Sequence, residues 1–385
     1  MSVTNLVFSR AENTNFVTLN GVMEVTKADV ERAFGRAVSS YEVQPLDPHL
    51  RLHSVTGGVF RVRADGDSAV LKVVRHGVDD DPGGLWVAGG DVAHRNYWKR
   101  EWLAFDSGLL DGLPPGVRAP HTLHTTQPSD DECWIWMEDV RGRTAHAITL
   151  DDYEVVARAL GRMQGWYAAD PARLPSQPWL SRDWLRGWAD TSAGQLKAVG
   201  GEEGWDDERL ATLLPYRQRA MEVWAASREQ LLRIVETSQR TVVHLDFWPH
   251  NLFVADDDVV AIDWSQVGIG GIAQDLDQIT LDTVWMQVMP DADIAELERR
   301  IVPSYAEGLR AAGYDVDEAV LQRWYAAAAA VKYVPLLELQ VMTARDPAKV
   351  AFAEQRAGRS FAEATATKAR VVRRAIELGE SALGS

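Results

Sequence analysis

The sequence contains a single cysteine, Cys133, and lacks a long uninterrupted apolar run. One thiol cannot form an internal disulfide, which excludes a disulfide framework. The longest apolar run, 325–339, contains Lys332 and Pro335 and falls short of the roughly 20 residues that span a bilayer. The first residues also lack a basic region followed by an apolar core. We therefore expect a cytoplasmic protein without a membrane segment.

An excess of basic residues is also missing, because the formal net charge is −16. Binding to a nucleic-acid backbone needs a basic surface, so we expect no nucleic-acid partner. An acidic surface can attract amine-bearing small molecules, or it can serve solubility alone. At 385 residues and 46% hydrophobic composition, the chain is long enough for two lobes with a sizeable core. The sequence does not indicate the oligomeric state.

The segment TVVHLDFWPHNLFVADDDVVAIDW, residues 241–264, combines polar side chains with short β-forming runs. The runs predict a strand, a polar loop and a hairpin that turns at the three consecutive aspartates. The loop carries Asp246 and Asn251, and the return strand ends at Asp263. Asn251 and Asp263 supply the oxygen ligands that magnesium prefers. Asp246 is then available to accept the proton of an attacking hydroxyl.

The octet HLDFWPHN at 244–251, together with IDW at 262–264, resembles the catalytic and metal loops of the aminoglycoside phosphotransferase and choline kinase family. The resemblance implies an α+β fold of the bilobal, protein-kinase-like type. It places a small antiparallel β N-lobe at residues 1–140 and a large, mainly helical C-lobe at 141–385. His244 joins Asp246 in the predicted catalytic site, where we expect it to steady the loop through hydrogen bonds. Taken alone, the octet also fits a polar surface turn or, through His250, a different metal site.

Two residues of the segment HLDFWPHN bear on which molecule accepts the phosphate. Leu245 stands where many resistance kinases have Gly, which counts against an aminoglycoside. Trp248 stands where fructosamine kinases also carry a Trp.

Alternation after Arg51 predicts three strands, at 52–55, 59–62 and 69–74, joined by glycine-bearing turns. The first turn contains Thr56, Gly57 and Gly58. In a kinase-like fold this turn covers the nucleotide phosphates. The motif G-x-G-x-x-G is absent, however, and a Gly-Gly pair also fits an ordinary hairpin. Lys72 lies inside the apolar third strand, where a charge is costly without a partner or a cleft. It is predicted to bind the α- and β-phosphates; the alternative is a solvent-facing lysine on an edge strand.

A phosphate-binding lysine needs a carboxylate on the following helix. Glu101 is the candidate, because it lies beside the apolar face of an amphipathic helix at 96–105. The insertion between Lys72 and this helix, residues 76–93, is either a flap near the nucleotide or a disordered surface loop.

The resemblance also implies that the chain crosses between lobes near Met137, Glu138 and Val140, whose backbone groups meet the nucleotide base. Backbone contacts leave no side-chain signature, so the donor is ATP or GTP. After the metal loop, the resemblance assigns to Asp275 the role of bracing the catalytic loop from beneath. Asp277 and Asp282 line the substrate side or are simply solvated helix carboxylates.

Beyond Val140 the pattern becomes helical, with a helix start predicted at Thr149. A lead-in helix is predicted to start at Thr26. Two tryptophan-rich segments, 179–188 and 205–224, fit either a substrate surface or, more often, core.

Three functions remain open. The first is a magnesium- and nucleotide-dependent kinase of a hydroxylated small molecule such as an aminoglycoside, amino sugar or related natural product. The second is a kinase of choline, ethanolamine, fructosamine or a protein side chain. The third is a nucleotide-binding module without catalysis.

Overall fold

The structure is a computed structural model that describes residues 16–19, 23–46, 55–77, 87–199 and 204–384. The strands of this part of the chain are β1 (Phe16–Leu19), β2 (Met23–Thr26), β3 (Tyr41–Pro45), β4 (Thr56–Ala64), β5 (Asp67–Arg75), β6 (Val117–Arg118), β7 (Thr122–Ser129), β8 (Glu132–Glu138), β9 (Arg143–Thr144), β10 (Arg240–Val243), β11 (Leu252–Ala255), β12 (Asp258–Ala261) and β13 (Gly268–Gly271). Its helices are α1 (Lys27–Phe34), α2 (Arg100–Asp106), α3 (Leu150–Ala168), α4 (Trp184–Val199), α5 (Arg217–Glu236), α6 (Leu276–Trp285), α7 (Ile294–Ala311), α8 (Glu318–Tyr333), α9 (Leu336–Ala344), α10 (Pro347–Ala357) and α11 (Phe361–Gly384).

The chain divides into two compact units. The described residues of 1–88 and 120–139 form the first, and those of 89–119 and 140–384 form the second. The first unit is β-rich and the second is mainly helical, which agrees with the predicted α+β class.

The first unit contains a five-stranded antiparallel sheet in the order β3-β4-β5-β8-β7. Its core includes Phe60, Leu71 and Trp136, which are at most 5% exposed. The strands predicted at 59–62 and 69–74 are present. The strand predicted at 52–55 falls almost wholly outside the described residues.

Helix starts were predicted correctly at two positions. Thr26 and Asp29 cap α1 reciprocally, with each side chain accepting the other residue's backbone N–H. Thr149 and Asp152 cap α3 in the same way. These caps form because side-chain oxygens satisfy N–H groups that a helix start leaves unpaired.

Two long helices of the second unit, α3 and α7, approach closely through glycines. A Cβ atom added at Gly161 would lie 2.2 Å from the Tyr305 carbonyl oxygen, and one at Gly308 would lie 2.2 Å from that of Arg158. Only glycine permits such a backbone contact. Helix α3 also contacts β10, since the Thr241 hydroxyl donates to the carbonyl oxygen of Gln164 at 2.9 Å.

The segment 241–264 forms the predicted strand, loop and hairpin. β10 pairs with β13, and β11 pairs with β12 as an antiparallel hairpin within the sheet β6-β12-β11-β9. The loop at 244–251 therefore leaves β10, and Asp263 follows β12.

The tryptophan-rich segments supply core. Trp179, Trp184, Trp188, Trp205 and Trp224 are at most 6% exposed. Among the described helices, none has both the length and the apolar composition needed to cross a bilayer.

Candidate active site

His244 connects the loop at 244–251 to the hairpin β11–β12. Its side chain is fully buried, and its Nε2 lies 3.0 Å from the carbonyl oxygen of Ile262, the residue before Asp263. Its Nδ1 accepts the backbone N–H of Asp246 at 3.2 Å. Because Nδ1 acts as the acceptor, Nε2 must carry the proton and donate to Ile262. This neutral imidazole fixes the distance between the two loops, which suits the predicted steadying role.

Leu245 adopts a left-handed backbone conformation, with φ of 65°. This region favours glycine, and a leucine there is strained. Asp275 holds the turn, since its carboxylate accepts the backbone N–H groups of His244 at 3.0 Å and Leu245 at 2.8 Å. Asp275 is fully buried and also accepts Nε2–H of Gln164 at 2.7 Å. It therefore lies where a residue bracing this loop must lie.

Gln278 provides a second brace that the sequence did not reveal. Its Oε1 accepts the backbone N–H of Phe247 at 2.7 Å, and its Nε2 donates to the carbonyl oxygen of Leu245 at 2.8 Å. Both residues flank Asp246. The backbone that presents Asp246 is therefore fixed on each side by a buried side chain of α6.

Asp246 and Asn251 contact each other directly. Nδ2 of Asn251 donates to Oδ2 of Asp246 at 2.7 Å and to its carbonyl oxygen at 2.9 Å. These bonds set the orientation of the amide, so Oδ1 of Asn251 faces away from Asp246. Burial, and then the negative charge of Asp263, raise the pKa of Asp246 to about 8.

These residues fit a magnesium ion. Asp263 and Asn251 offer a carboxylate oxygen and an amide oxygen, and Asp263 lies close enough to Asp246 for their charges to repel. A divalent cation would relieve that repulsion, and magnesium commonly takes one or two protein ligands beside phosphates and water. Within the described residues, no group of three or more His, Cys, Asp or Glu forms an alternative metal site.

Lys332, at the end of α8, is a further charged group beside the loop. Its Nζ lies 3.3 Å from Oδ1 of Asp277, and both side chains are nearly buried. Its positive charge opposes the rise in pKa that burial imposes on Asp246 and Asp282. Asp277 is thus occupied by the chain's own ammonium group rather than lining an open substrate surface.

In the first unit, Lys72 lies in the central strand β5, between β4 and β8, and is 7% exposed. Lys72 is therefore not on an edge strand. Thr56, Gly57 and Gly58 do not form a turn; they begin strand β4, with a bulge between Thr56 and Gly58. A Cβ at Gly58 would lie 2.5 Å from the Phe60 ring, so this ring packs in the space that the glycine leaves open.

Met137 and Glu138 end strand β8, and Val140 is the first residue of the second unit after Asp139. Backbone groups of Glu138 pair with His121, and its carboxylate accepts the His121 N–H at 3.1 Å. The backbone contact of this segment with a nucleotide base stays a prediction.

Glu101 is 2% exposed in the first turn of α2. Its neighbour Arg100 donates to the carbonyl oxygens of Trp179 at 2.8 Å and Ser265 at 3.2 Å. Arg100 thereby ties α2 to the segment that follows Asp263. The pairing of Glu101 with Lys72 stays a prediction, and residues 78–86 of the insertion lie outside the described part of the chain.

Replacing Asp275 with Ala is expected to lower the free energy of unfolding by about 3 kcal/mol or more. The change leaves three buried donors without their acceptor, and each unsatisfied buried group costs about 1–3 kcal/mol. Urea unfolding followed by tryptophan fluorescence measures the effect. Asp291→Ala, at an exposed position, is the control, and equal stability of the two variants would contradict the bracing role.

The raised pKa of Asp246 also predicts a pH effect on stability. Since the folded state binds this proton more tightly than the unfolded state, the contribution is present at low pH and lost as pH rises from about 4 to about 8. Asp246→Asn removes the titration. In metal-free buffer, the melting temperature of Asp246→Asn minus that of the parent should increase by a few degrees between pH 6 and pH 8.5. A difference that stays constant with pH would contradict this prediction.

The fold is shared with solved kinases at low sequence identity. A spectinomycin phosphotransferase in complex with ADP and spectinomycin matches with 11% identity and a TM-score of 0.52, covering 91% of this chain and 95% of its own. A choline kinase from Cryptosporidium parvum Iowa II matches with 13% identity and a TM-score of 0.50, covering 88% and 90%. A microcompartment-associated aminopropanol kinase matches with 17% identity and a TM-score of 0.50, covering 90% and 94%. These matches confirm the protein-kinase-like fold class.

No curated protein matches the sequence significantly. The model of the phosphotransferase enzyme family (APH), however, matches residues 98–319, which is more than half of the chain and includes the catalytic and metal loops. The chain therefore belongs to the phosphotransferase enzyme family and is an enzyme, a small-molecule kinase, as the motif at 244–263 indicates.

Proposed function

We propose that the enzyme transfers the γ-phosphoryl group of ATP or GTP to a hydroxyl group of a small molecule, with Asp246 as the base. The observation that carries the proposal is the position of Asp246. It is held by Asn251, flanked by the two braces Asp275 and Gln278, and placed beside Asp263. Such rigid placement of a base beside a metal site is what phosphoryl transfer requires.

In this mechanism Asp246 accepts the proton of the acceptor hydroxyl as the acceptor oxygen attacks the γ-phosphorus. A new oxygen–phosphorus bond forms, the bond from the γ-phosphorus to the β–γ bridging oxygen breaks, and the nucleoside diphosphate leaves with the electron pair. Asn251 and Asp263 would hold magnesium, which supplies charge neutralisation to the phosphates. His244 keeps the two loops in register through its bonds to Asp246 and Ile262.

On the nucleotide side, we assign the α- and β-phosphates to Lys72, with Glu101 as its partner. Lys72 is 7% exposed in the central strand β5 rather than on an edge strand, and an ammonium group so placed is the kind of group that binds nucleotide phosphates in kinase-like folds. Thr56 to Gly58 and the segment Met137, Glu138 and Val140 are assigned to the phosphates and the base through their backbone groups. The donor is ATP or GTP.

The acceptor is a hydroxylated natural product, and aminoglycosides and amino sugars are the first classes to test. Choline, ethanolamine and fructosamine form the second group. The enzyme family favours these acceptors over a nucleotide-binding role without catalysis.

The test measures magnesium-dependent release of ADP and GDP across a panel of aminoglycosides, amino sugars, sugar acids, nucleosides and amino alcohols. Asp246→Asn is run beside the parent, and Asp257→Asn, an exposed aspartate in the turn between β11 and β12, is the control. Mass spectrometry should find one added phosphoryl group on an acceptor with the parent and the control but not with Asp246→Asn. Equal turnover by all three proteins would overturn the role of Asp246.

A further inference from the structure

Two features that would hold an amine-bearing acceptor, carboxylates and aromatic faces, are occupied near the catalytic loop. Asp277 is 1% exposed and forms an ion pair with Lys332. The charges of Lys332 and Arg356 and the hydroxyl group of Tyr333 act on Asp282. The carboxylates of α6 are therefore already compensated by groups of the chain itself.

The aromatic faces of this region are likewise covered by the chain's own cations. The guanidinium of Arg356 lies 5.9 Å from the centre of the Trp248 ring. The ammonium of Lys368 lies 5.1 Å from the centre of the Trp285 ring. These are ordinary cation–π distances. An aromatic cage for a quaternary amine is consequently not open at either ring.

Arg356 and Lys368 differ from Lys332 in one respect. In the part of the chain that the structure describes, the contacts of these two cations are with aromatic rings and a neutral amide rather than with a carboxylate within ion-pair distance. Lys368 donates instead to the neutral Oε1 of Gln340 at 3.2 Å. Burial, and then the positive charge of Arg356, lower the pKa of Lys368 to about 8. Asp282 is the carboxylate whose charge acts on Arg356, whereas the charge that acts on Lys368 is that of Arg356. A buried ammonium group beside a guanidinium, with a neutral amide as its hydrogen-bond partner, is typical of a site that binds an anion.

These two cations are connected to the catalytic loop. Trp248, which Arg356 covers, is two residues from Asp246 and stacks on His250 with ring centres 4.6 Å apart. The charge of Asp282 acts on both Asp246 and Arg356. Because Arg356 lies over a residue of the loop that presents Asp246, an anion beside Arg356 can be carried by the molecule whose hydroxyl approaches Asp246.

We propose that Arg356 and Lys368 bind an anionic group of the acceptor, a carboxylate, phosphate or sulfate carried by the same molecule as the reacting hydroxyl. The proposal rests on the phosphotransferase function proposed above and narrows its acceptor class. A hydroxy acid, a sugar acid or a sugar phosphate fits this site. A polycationic aminoglycoside or a simple quaternary amine lacks such a group, so anionic acceptors take precedence over aminoglycosides in the panel described above.

Binding is tested without turnover by the rate at which succinimidyl acetate acetylates Lys368, read by peptide mass spectrometry. Inorganic sulfate, D-gluconate and D-glucosamine 6-phosphate are the anionic probes, with D-glucose, D-glucosamine and choline as their uncharged or cationic counterparts. We expect at least one anionic probe to slow acetylation about threefold or more in the parent and none to do so in Arg356→Gln. Comparing each variant with and without probe cancels the change that Arg356→Gln makes to the reactivity of Lys368. The proposal is overturned if no anionic probe slows acetylation, or if choline slows it equally.

Turnover provides the second arm. With an anionic acceptor, Arg356→Gln and Lys368→Met should each lower kcat/KM for the acceptor about 30-fold or more, while KM for the nucleotide stays unchanged. Arg373→Gln, which removes a charge from an exposed position of α11, should behave like the parent. If the enzyme phosphorylates only cationic or neutral acceptors, and only Asp246→Asn abolishes that turnover, the phosphotransferase function stands and the anion site is wrong. Protection of Lys368 without any turnover gives the reverse result.

Discussion

Asp246→Asn is expected to lower kcat for phosphoryl transfer about 10³-fold while the affinity for nucleotide changes little. A positioned general base contributes about 10²–10⁴-fold, and Asp246 is the carboxylate that the loop holds. The substitution preserves size, and the new amide can still accept the hydrogen bond from Asn251. The loss should therefore fall on the chemical step rather than on the fold.

Single-turnover kinetics with the acceptor found in the panel, together with nucleotide titration, measures both quantities. Asp257→Asn removes a charge from the nearby turn and should retain the parent's rate. A kcat within a few-fold of the parent's would mean that another group accepts the proton. A folded variant that no longer binds nucleotide would instead mean that Asp246 serves the metal.

Asp263→Asn is expected to have the second large effect, lowering the rate at moderate magnesium by about 10²–10³-fold, the scale for removing one group that stabilises developing charge. The cause differs from that of Asp246→Asn. An amide oxygen is a weaker ligand than a carboxylate, so the enzyme should need much more magnesium for half-maximal rate, and high magnesium should restore part of the activity.

The measurement is a magnesium titration of the rate for parent, Asp263→Asn and Asp258→Asn, whose substitution lies at the exposed start of β12 in the same hairpin. Asp258→Asn also removes the partner of Arg118, so its unfolding temperature is recorded alongside. An unchanged magnesium requirement in Asp263→Asn would exclude this residue as a metal ligand.

Much of the catalytic segment follows from local sequence. β-forming runs around a polar loop give β10 and the hairpin β11–β12 because each run prefers extended backbone and the aspartates at 256–258 tolerate the turn. The capped starts of α1 and α3 are equally local, since Thr26 and Thr149 satisfy N–H groups only three residues away. The family motif at 244–263 follows from the same contiguous stretch.

Turn prediction was wrong where packing overrode composition. Thr56, Gly57 and Gly58 suggest a turn by residue type, but they begin β4 because the glycines allow Phe60 and Val73 to pack against the strand. Residue preference is a weak signal when a side chain from the same or a neighbouring strand fills the space above the backbone.

The sequence by itself determined the elements, the caps and the catalytic motif, because these depend on residues close together in the chain. Tertiary structure alone decided that Gln278 would fix the loop around Asp246, that Asp275 would hold Leu245 in a left-handed conformation, and that Lys332 would occupy Asp277. It also decided that Arg356 and Lys368 cover the rings of Trp248 and Trp285. Such contacts join residues up to about a hundred positions apart. They arise from the packing of α6, α8, α10 and α11, which no local pattern of residue types specifies.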